Sequence, residues 1–489
     1  MTSQQSTSNS FDILPNELII GIFTLIRHES VFYMDPSDEW ILSVVQLSSV
    51  SHRWRDLAIT TPQLWCFFVL STPNSIQLAP LFFERSKPLP IDLIISHLPS
   101  MDILPLLSPE NSRIRSLDYR FISPDELNES LLVVSPATNL DTLKIRCDPR
   151  FNWACYSSQH VAVVKNAARL RSVVLKGICS RLSPPLVNLT HLEIHGFSPT
   201  FPEFRTLFDS NPALSTLCLP RFSPTEWLDE KHPPDPIDAS SLRSFSVGLG
   251  MHWSHEIRML TFLRMDNLEY LEIAGSLIGH ITNYFSSANG FSRVQTLRLH
   301  NSVIDVVHAP EVPFWSALNA VTRVELIGVS RFSDLLAAKT ETGDNKIYFP
   351  KLTNILCDNY ESLRQMVEII CSRSAVGLSR VEVPSHFEFL LQQEVATKLN
   401  AANIELVFVN DKDATRTIVH YDSEDEDEDE EDEENLDFDE LSWSDDDNYN
   451  VYDDYDDYDD HDGHDDSFED FGLEGPDLDG WDESYIPIL

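Results

Sequence analysis

The sequence lacks features that would place it in a membrane or in an oxidising compartment. No uninterrupted apolar run approaches the roughly 18 residues that a membrane-spanning helix needs. The seven cysteines are scattered and form no C-x-x-C pair, which predicts reduced thiols rather than disulfides. The N-terminus lacks the basic and apolar parts of a signal peptide, and no basic cluster is typical of nuclear import. We expect an intracellular protein, in the cytoplasm, the nucleus or both.

Motifs of catalysis and metal binding are also missing. The sequence contains no G-x-S-x-G, no P-loop and no G-x-G-x-x-G. His252 and His255 are three residues apart, as are His461 and His464, but neither pair has further Cys or His at zinc spacing. We therefore expect no catalytic residues, no cofactor and no metal. An enzyme whose Ser, His and Asp meet only in the fold is a remaining alternative.

Lysine and arginine are absent from Tyr421 to Leu489, where 34 residues are Asp or Glu. The formal net charge of the chain is −43, so this segment carries −34 and leaves −9 on residues 1–420. Such a balance argues against nucleic acid and anionic membrane surfaces as partners. Because dense like charges repel one another, we predict disorder in residues 411–489, and we also expect it in the polar residues 1–10.

The acidic tail, residues 411–489, has aromatic side chains spaced among its carboxylates. That composition suits loose contact with basic proteins, and a purely solubilising role is the alternative. Ser423 and Ser444 precede acidic runs of the kind that acid-directed kinases accept.

The stretch LPNELIIGIF, which begins at Leu14, carries more apolar side chains than a short helix can bury. Leu14, Leu18 and Ile22 recur every four residues beside a parallel stripe one residue later, which predicts a helix with a broad apolar face. Helical spacing returns between residues 41 and 58. Residues 27–39 contain charge and a proline and predict a loop between the two helical patterns.

A helical unit of about 50 residues is marginally stable alone, because it buries only about 60% of the surface of its unfolded chain. Three short helices can each hide one face against the others. Apolar residues that are then left in water usually mark a protein interface. The alternative is an ordinary helical hairpin buried against the rest of the chain.

The spaced pattern L-P-x-E-L-x-x-x-I-F at 14–23, followed by L-x-x-V-S-x-x-W-R-x-L-A at 47–58, resembles the F-box. The continuation T-P-Q-L-W at 61–65 is similar to the form common in fungal F-box proteins. The resemblance implies a three-helix domain, expected at 11–70, that docks on the Skp-type adaptor of a cullin-RING ubiquitin ligase and through it meets the cullin and RING subunits. It also implies the residues that divide between adaptor contact and the core of the motif: Leu14, Pro15, Leu18, Ile22, Phe23, Val50 and Trp54.

A second pattern, L-x-x-L-x-L with other apolar residues substituting, occurs eleven times between residues 114 and 383. The first residues of these phrases are Ile114, Leu140, Leu170, Leu189, Leu214, Leu242, Leu268, Val294, Val321, Leu352 and Leu378. Their mean spacing of about 26 residues lies in the range of leucine-rich repeats, which the pattern resembles. Each phrase ends in the period of a strand, and segments such as 255–263 and 362–370 have helical spacing.

The sequence therefore predicts an α/β chain: a three-helix F-box, then a leucine-rich-repeat solenoid over 71–410 with parallel strands inside and helices outside. The seventh residue after the start of a phrase is often a turn former. Such residues are Gly177, Gly196, Gly275, Asn301, Gly328 and Asn359. The usual Asn or Cys at the next position is missing, so we expect an irregular coil. An unrelated fold with several parallel strands is the alternative.

Side chains alternate along a strand. The residues three and five positions after the start of each phrase should therefore face the core, and those two and four positions after it should face the concave surface. These concave positions are polar and mixed in sign, which suits a protein target better than a small apolar ligand. The candidate target-binding residues are His191, Glu193, Tyr270, Glu272, Arg298, Arg323, Glu325, Arg380 and Glu382. A merely solvated sheet face is the alternative.

These expectations combine into one hypothesis about function. The chain is expected to be a non-catalytic substrate-recognition subunit of an SCF-type cullin-RING ubiquitin ligase, with the helices held by the adaptor and the solenoid holding an unknown protein target. The alternative is a scaffold unrelated to ubiquitin, or a chaperone-like protein that binds basic clients through its acidic tail.

Overall fold

The computed structural model describes most of the chain up to residue 410. The described ranges are 14–33, 39–96, 106–121, 137–147, 161–162, 167–177, 182–183, 186–222, 235–249, 262–275, 290–302, 313–337, 348–374, 377–388 and 393–410. The expectations for residues 1–10, for the acidic tail with Ser423 and Ser444, and for both histidine pairs fall outside these residues.

Three helices open the described chain: α1 (Asn16–Tyr33), α2 (Glu39–Ser49) and α3 (His52–Thr60). The Ser51 side chain caps α3 by accepting a hydrogen bond from the backbone N–H of Trp54 at 3.2 Å. The loop predicted over residues 27–39 was wrong at both ends, because α1 continues to Tyr33 and α2 begins at Glu39. Charged residues such as Arg27 and Glu29 are good helix formers, so charge alone does not end a helix.

Eighteen strands occur in the described ranges. They are β1 (Phe67–Leu70), β2 (Ile91–Ser96), β3 (Ile114–Phe121), β4 (Thr142–Cys147), β5 (Val161–Ala162), β6 (Ser172–Lys176), β7 (Leu182–Ser183), β8 (His191–Ile194), β9 (Thr216–Phe222), β10 (Ile237–Asp238), β11 (Ser244–Leu249), β12 (Leu263–Arg264), β13 (Tyr270–Ala274), β14 (Thr296–His300), β15 (Arg323–Ile327), β16 (Asn354–Cys357), β17 (Arg380–Pro384) and β18 (Glu405–Val409).

Fourteen of these strands form one parallel sheet in the order β1-β2-β3-β4-β6-β8-β9-β11-β13-β14-β15-β16-β17-β18. Each strand of the sheet lies beside its predecessor in the chain, as in a coil that advances one strand per turn. All eleven predicted phrases contribute a strand to this sheet, so the prediction of a long run of parallel strands is confirmed. Two short parallel pairs, β5 with β7 and β10 with β12, accompany it.

Helices also connect the strands of the sheet. They are α4 (Pro73–Arg85), α5 (Phe201–Ser210), α6 (Pro313–Ala317), α7 (Phe332–Leu336), α8 (Tyr360–Arg373) and α9 (Gln393–Ala401). The helix predicted at 362–370 lies within α8, whereas most of the segment 255–263 is outside the described residues. None of the helices in the described part of the chain is long and apolar enough to cross a membrane.

One buried apolar cluster joins the helices α1–α3 to the sheet. It contains Phe23 of α1, Trp65 of the short 3₁₀ turn after α3, and Phe68 of β1. The indole N–H of Trp65 donates to the carbonyl of Ala58 at 2.7 Å, and its ring meets that of Phe82 edge to face. The same cluster continues along the sheet through the residues three and five positions after the start of each phrase, as the alternation predicted.

The predicted turn formers also form a ladder. Gly177 has a φ of 70°, which favours glycine, and a Cβ at this position would lie 2.6 Å from the Cβ of Cys147 in the previous turn. Positive φ recurs at Asn301 and Gly328, and at Arg221, where the sequence carries no turn signal. Asn359 differs: its side chain accepts from the N–H at the third position of α8 and caps that helix.

Candidate functional site: an apolar helix face and a charged strand face

An exposed apolar stripe runs along α1. Leu18, Ile22 and Leu25 follow the i, i+4, i+7 spacing of one helix face, and they are 55%, 36% and 63% exposed. Single exposed apolar residues are ordinary on protein surfaces, but three successive members of one stripe form a contiguous patch. With Val50, described next, we call these residues the apolar helix face.

Val50 is 62% exposed and lies just before Ser51, the residue that caps α3. The guanidinium of Arg53 ties this end of α3 to the beginning of α1, because it donates to the side-chain oxygen of Asn16 at 2.7 and 3.1 Å and to the carbonyl of Leu14. Val50 and Leu18 therefore lie at the same end of the helical unit.

The seven residues implied by the resemblance divide into two groups. Pro15, Leu18, Ile22 and Val50 are exposed. Phe23 is fully buried, with its ring centroid 5.0 Å from that of Trp54 in an edge-to-face contact, and Leu14 is packed against the same core. Leu25 was missed from the sequence, although its position three residues after Ile22 continues the stripe.

The candidate target-binding residues lie on one face of the sheet, which we call the strand face. The register places Glu272 of β13 opposite Arg298 of β14, and Arg298 opposite Glu325 of β15. Opposite charges on adjacent strands attract, and this alternation lets charged groups approach one another closely. His191 and Glu193 lie on the same face of β8, and Arg380 and Glu382 on that of β17.

A hydrogen-bond network surrounds Glu272, which is buried. Its carboxylate accepts from the hydroxyls of Ser246 at 2.9 Å and Tyr270 at 3.0 Å. Burial, together with the negative charge of Glu272, raises the pKa of Tyr270. Arg298, also buried, holds Glu325 at 3.2 Å. A buried charge is costly unless it is paired, and in this half of the strand face the pairing is provided by its neighbours.

Arg323 extends this network across β16. Its two terminal nitrogens donate to the carboxylate of Glu382 at 3.1 and 2.6 Å, and its Nε donates to Glu325 at 2.6 Å. Arg380 reaches Glu382 from the same strand at 2.8 Å. Burial alone would raise the pKa of Glu382, but the hydrogen bonds and charges of Arg323 and Arg380 outweigh it and lower that pKa.

At β8 the charges are arranged differently. His195 lies 2.6 Å from Glu193, and this contact, with Lys176, lowers the pKa of Glu193 against the opposing effect of burial. Burial lowers the pKa of His191. Among the described residues no group of three or more His, Cys, Asp or Glu side chains could hold a metal ion.

Glu272, Arg298 and Glu382 are buried by their neighbours, so the prediction that their side chains face a target directly was wrong. The partly exposed members of the strand face are His191, Glu193, Tyr270, Arg323, Glu325 and Arg380.

Comparison with known proteins identifies the helical unit. A protein-family model described as F-box-like matches residues 11–71, which span α1–α3, the 3₁₀ turn and β1. Residues 11–71 are therefore an F-box-like domain, as the sequence pattern indicated. No curated protein matches the chain. The fungal form of the motif and membership of the leucine-rich-repeat class stay predictions.

Proposed function

We propose that this chain is the substrate-recognition subunit of an SCF-type cullin-RING ubiquitin ligase. In this proposal the F-box-like domain docks on a Skp-type adaptor and the strand face binds the protein target. The observation that supports it best is the exposure of Leu18, Ile22, Leu25 and Val50 within the stretch that matches the F-box-like family model.

The docking step has a physical basis in these side chains. Burying an apolar surface stabilises a complex by roughly 25 cal/mol per Å², and a few well-packed side chains usually dominate an interface. The adaptor would supply the cover that the domain's own core does not. Pro15, next to Leu14 at the start of α1, is exposed beside this surface.

The contribution to ubiquitin transfer is proximity. A subunit that binds adaptor and target together raises the effective concentration of target lysines near a ubiquitin-charged enzyme. The chemistry belongs to other subunits, so the chain itself needs no catalytic residue, cofactor or metal.

The test is a pull-down of a purified Skp-type adaptor by the full chain and by the variant Leu18→Glu/Val50→Glu. Both positions are exposed, so the charges enter the interface without entering the core. We expect the variant to lose at least about tenfold in affinity, the effect of truncating or charging an interface anchor. Val187→Glu, at an exposed apolar position far along the chain, should bind as wild type. Equal binding by all three proteins would refute the docking assignment.

A further inference from the structure

Three strands near the N-terminal end of the sheet carry a row of like charges. Arg120 of β3 lies in register with Arg146 of β4, and Arg146 with Lys176 of β6. Lys144 precedes Arg146 by two residues and therefore faces the same side of the sheet. We call these four residues the cationic patch. Neighbouring strands are about 4.8 Å apart, and like charges directly opposite one another destabilise a sheet. Such a row costs stability unless carboxylates compensate it.

Carboxylates within the strand face compensate the patch only in part. Arg146 lies 3.4 Å from Asp118, and Lys176 lies 3.8 Å from Glu193, which is closer to His195. Among the residues that the structure describes, the side chain of Lys144 forms neither an ion pair nor a hydrogen bond. Arg146, Lys176 and His195 thus share the two carboxylates of Asp118 and Glu193, and Lys144 pairs with neither.

Asp92 on the neighbouring β2 does not add to this compensation. It is bound by Arg115 through two hydrogen bonds of 3.0 and 2.5 Å, so its charge is already paired.

The other half of the strand face is compensated. Arg298, Arg323 and Arg380 each lie within 3.2 Å of a carboxylate. Three carboxylates, those of Glu272, Glu325 and Glu382, match these three cations. One sheet therefore carries a network of matched charges at β13–β17, whereas at β4–β6 the unpaired Lys144 lies beside Arg146 and Lys176.

We propose that the cationic patch binds an acidic segment of the target protein, through side-chain carboxylates or phosphate groups. This identity of the ligand rests on the proposed function. Residues 1–420 carry a net charge of −9, so the protein as a whole repels an acidic segment, and clustered positive charges such as those of this patch attract it locally. A protein segment is favoured over nucleic acid because tight phosphate-backbone binding needs a long basic track, and the patch spans three strands.

The experiment uses the full chain and three fluorescent 12-residue peptides that alternate serine with glutamate, with glutamine, or with phosphoserine. We expect the glutamate or the phosphoserine peptide to bind, with affinity falling as salt rises, and the glutamine peptide not to bind. The variant Lys144→Gln/Arg146→Gln should lose about tenfold or more in affinity for the acidic peptide. Which acidic peptide binds more tightly tells carboxylate recognition from phosphate recognition.

The matched control is Arg364→Gln/Lys398→Gln, which removes the same charge from α8 and α9, where Glu361 and Glu368 pair with these cations. It should bind the peptide as wild type does. Equal losses in the two variants, or tighter binding of a single-stranded oligonucleotide than of either acidic peptide, would overturn the proposal. Peptide binding does not involve the adaptor. A failed adaptor pull-down with patch-dependent peptide binding therefore rejects the ligase role alone, and the reverse result rejects the patch alone.

Discussion

Arg323 and Glu382 join β15 to β17 across the strand that separates them, through a two-pronged hydrogen-bonded ion pair. The two residues are 59 positions apart in the chain, so the contact forms only when three successive strands hold the correct register. The pair can therefore form only in a correctly assembled sheet. It also neutralises the Glu382 carboxylate in surroundings where an unpaired charge is costly.

Removal of Arg323 should destabilise the fold through the carboxylates that it leaves behind. Breaking a buried ion pair costs about 3–5 kcal/mol, and because Arg323 is partly exposed we expect about 1–3 kcal/mol for Arg323→Ala in urea unfolding. Arg364→Ala, at an exposed ion pair with Glu361, should change the free energy of unfolding by less than about 0.5 kcal/mol. Similar values at the two sites would show that the Arg323 network adds no stability.

Two glycines should respond to alanine with opposite signs. Gly177→Ala places a Cβ against Cys147 at a positive φ, and we expect a loss of about 2 kcal/mol or more. Gly21 is exposed within α1 with no atom near the added methyl group, so Gly21→Ala should stabilise by up to about 1 kcal/mol. Thermal and urea unfolding of the two variants measure both effects, and a stable Gly177→Ala protein would count against the stacked turns.

Phe23 and Leu18 should separate folding from docking. Phe23→Ala removes a fully buried ring from its contact with Trp54 and should cost about 3–5 kcal/mol of stability. Leu18→Ala should change stability by no more than about 0.5 kcal/mol and weaken adaptor binding. Unfolding curves and adaptor titrations on both variants decide this. Loss of stability at Leu18 would mean that the helix face is covered by the chain itself.

Acid should weaken the fold through His300 on β14. Burial and the positive charge of Arg298 lower its pKa to about 4, whereas an unfolded histidine titrates near 6.5. Between these pH values the unfolded chain binds a proton that the folded chain does not, so the free energy of unfolding decreases as pH falls. His300→Gln should remove about 1–2 kcal/mol of the decrease between pH 7 and pH 5. The exposed His52 provides the control substitution, and an unchanged pH profile for His300→Gln would contradict the prediction.

Deletion of residues 411–489 should separate the ligase subunit from the alternative scaffold. If the F-box-like domain carries docking, the shortened chain binds the adaptor as well as the full chain. If the chain is a carrier of basic clients, the deletion abolishes binding of a polylysine probe and the full chain shows no adaptor binding. Adaptor pull-down and polylysine titration on the same two proteins give both readouts.

Much of the fold could be predicted because each turn of the sheet repeats the same apolar phrase. The strands β1, β2 and β18 escaped that pattern for local reasons. The register of β1 and β18 places Trp65 and Asn403 where the phrase has its first aliphatic residue. In β2 the register shifts between Ile91 and Asp92, so Ile91 pairs with Ile114 and only one residue, not two, separates its first two apolar positions. Trp65 had already been assigned to the F-box motif. A search for period-two alternation alone would have found β2, whose sequence is IDLIIS.

The site was harder to predict than the fold. Spacing placed Phe23 on an apolar stripe of α1 as it did Ile22, and only packing against Trp54 shows which of them is core. The pairing of Arg323 with Glu382 depends on strand register, which no local pattern encodes. The cationic row of Arg120, Arg146 and Lys176 lies six residues after the start of each phrase, one residue beyond the L-x-x-L-x-L pattern, although it faces the same side as the residues two and four positions after the start.

Only Cys66 separates the 3₁₀ turn Pro62–Trp65 from β1, and the aromatic contacts of Trp65 and Phe82 fasten this junction. The adaptor-binding and target-binding surfaces would thus belong to one continuous unit with no linker between them. In such a ligase, the target lysines that receive ubiquitin would be determined by the orientation of the sheet relative to the helices rather than by the reach of a flexible linker. Insertion of a few glycines beside Cys66 would make this orientation variable while leaving both binding surfaces intact.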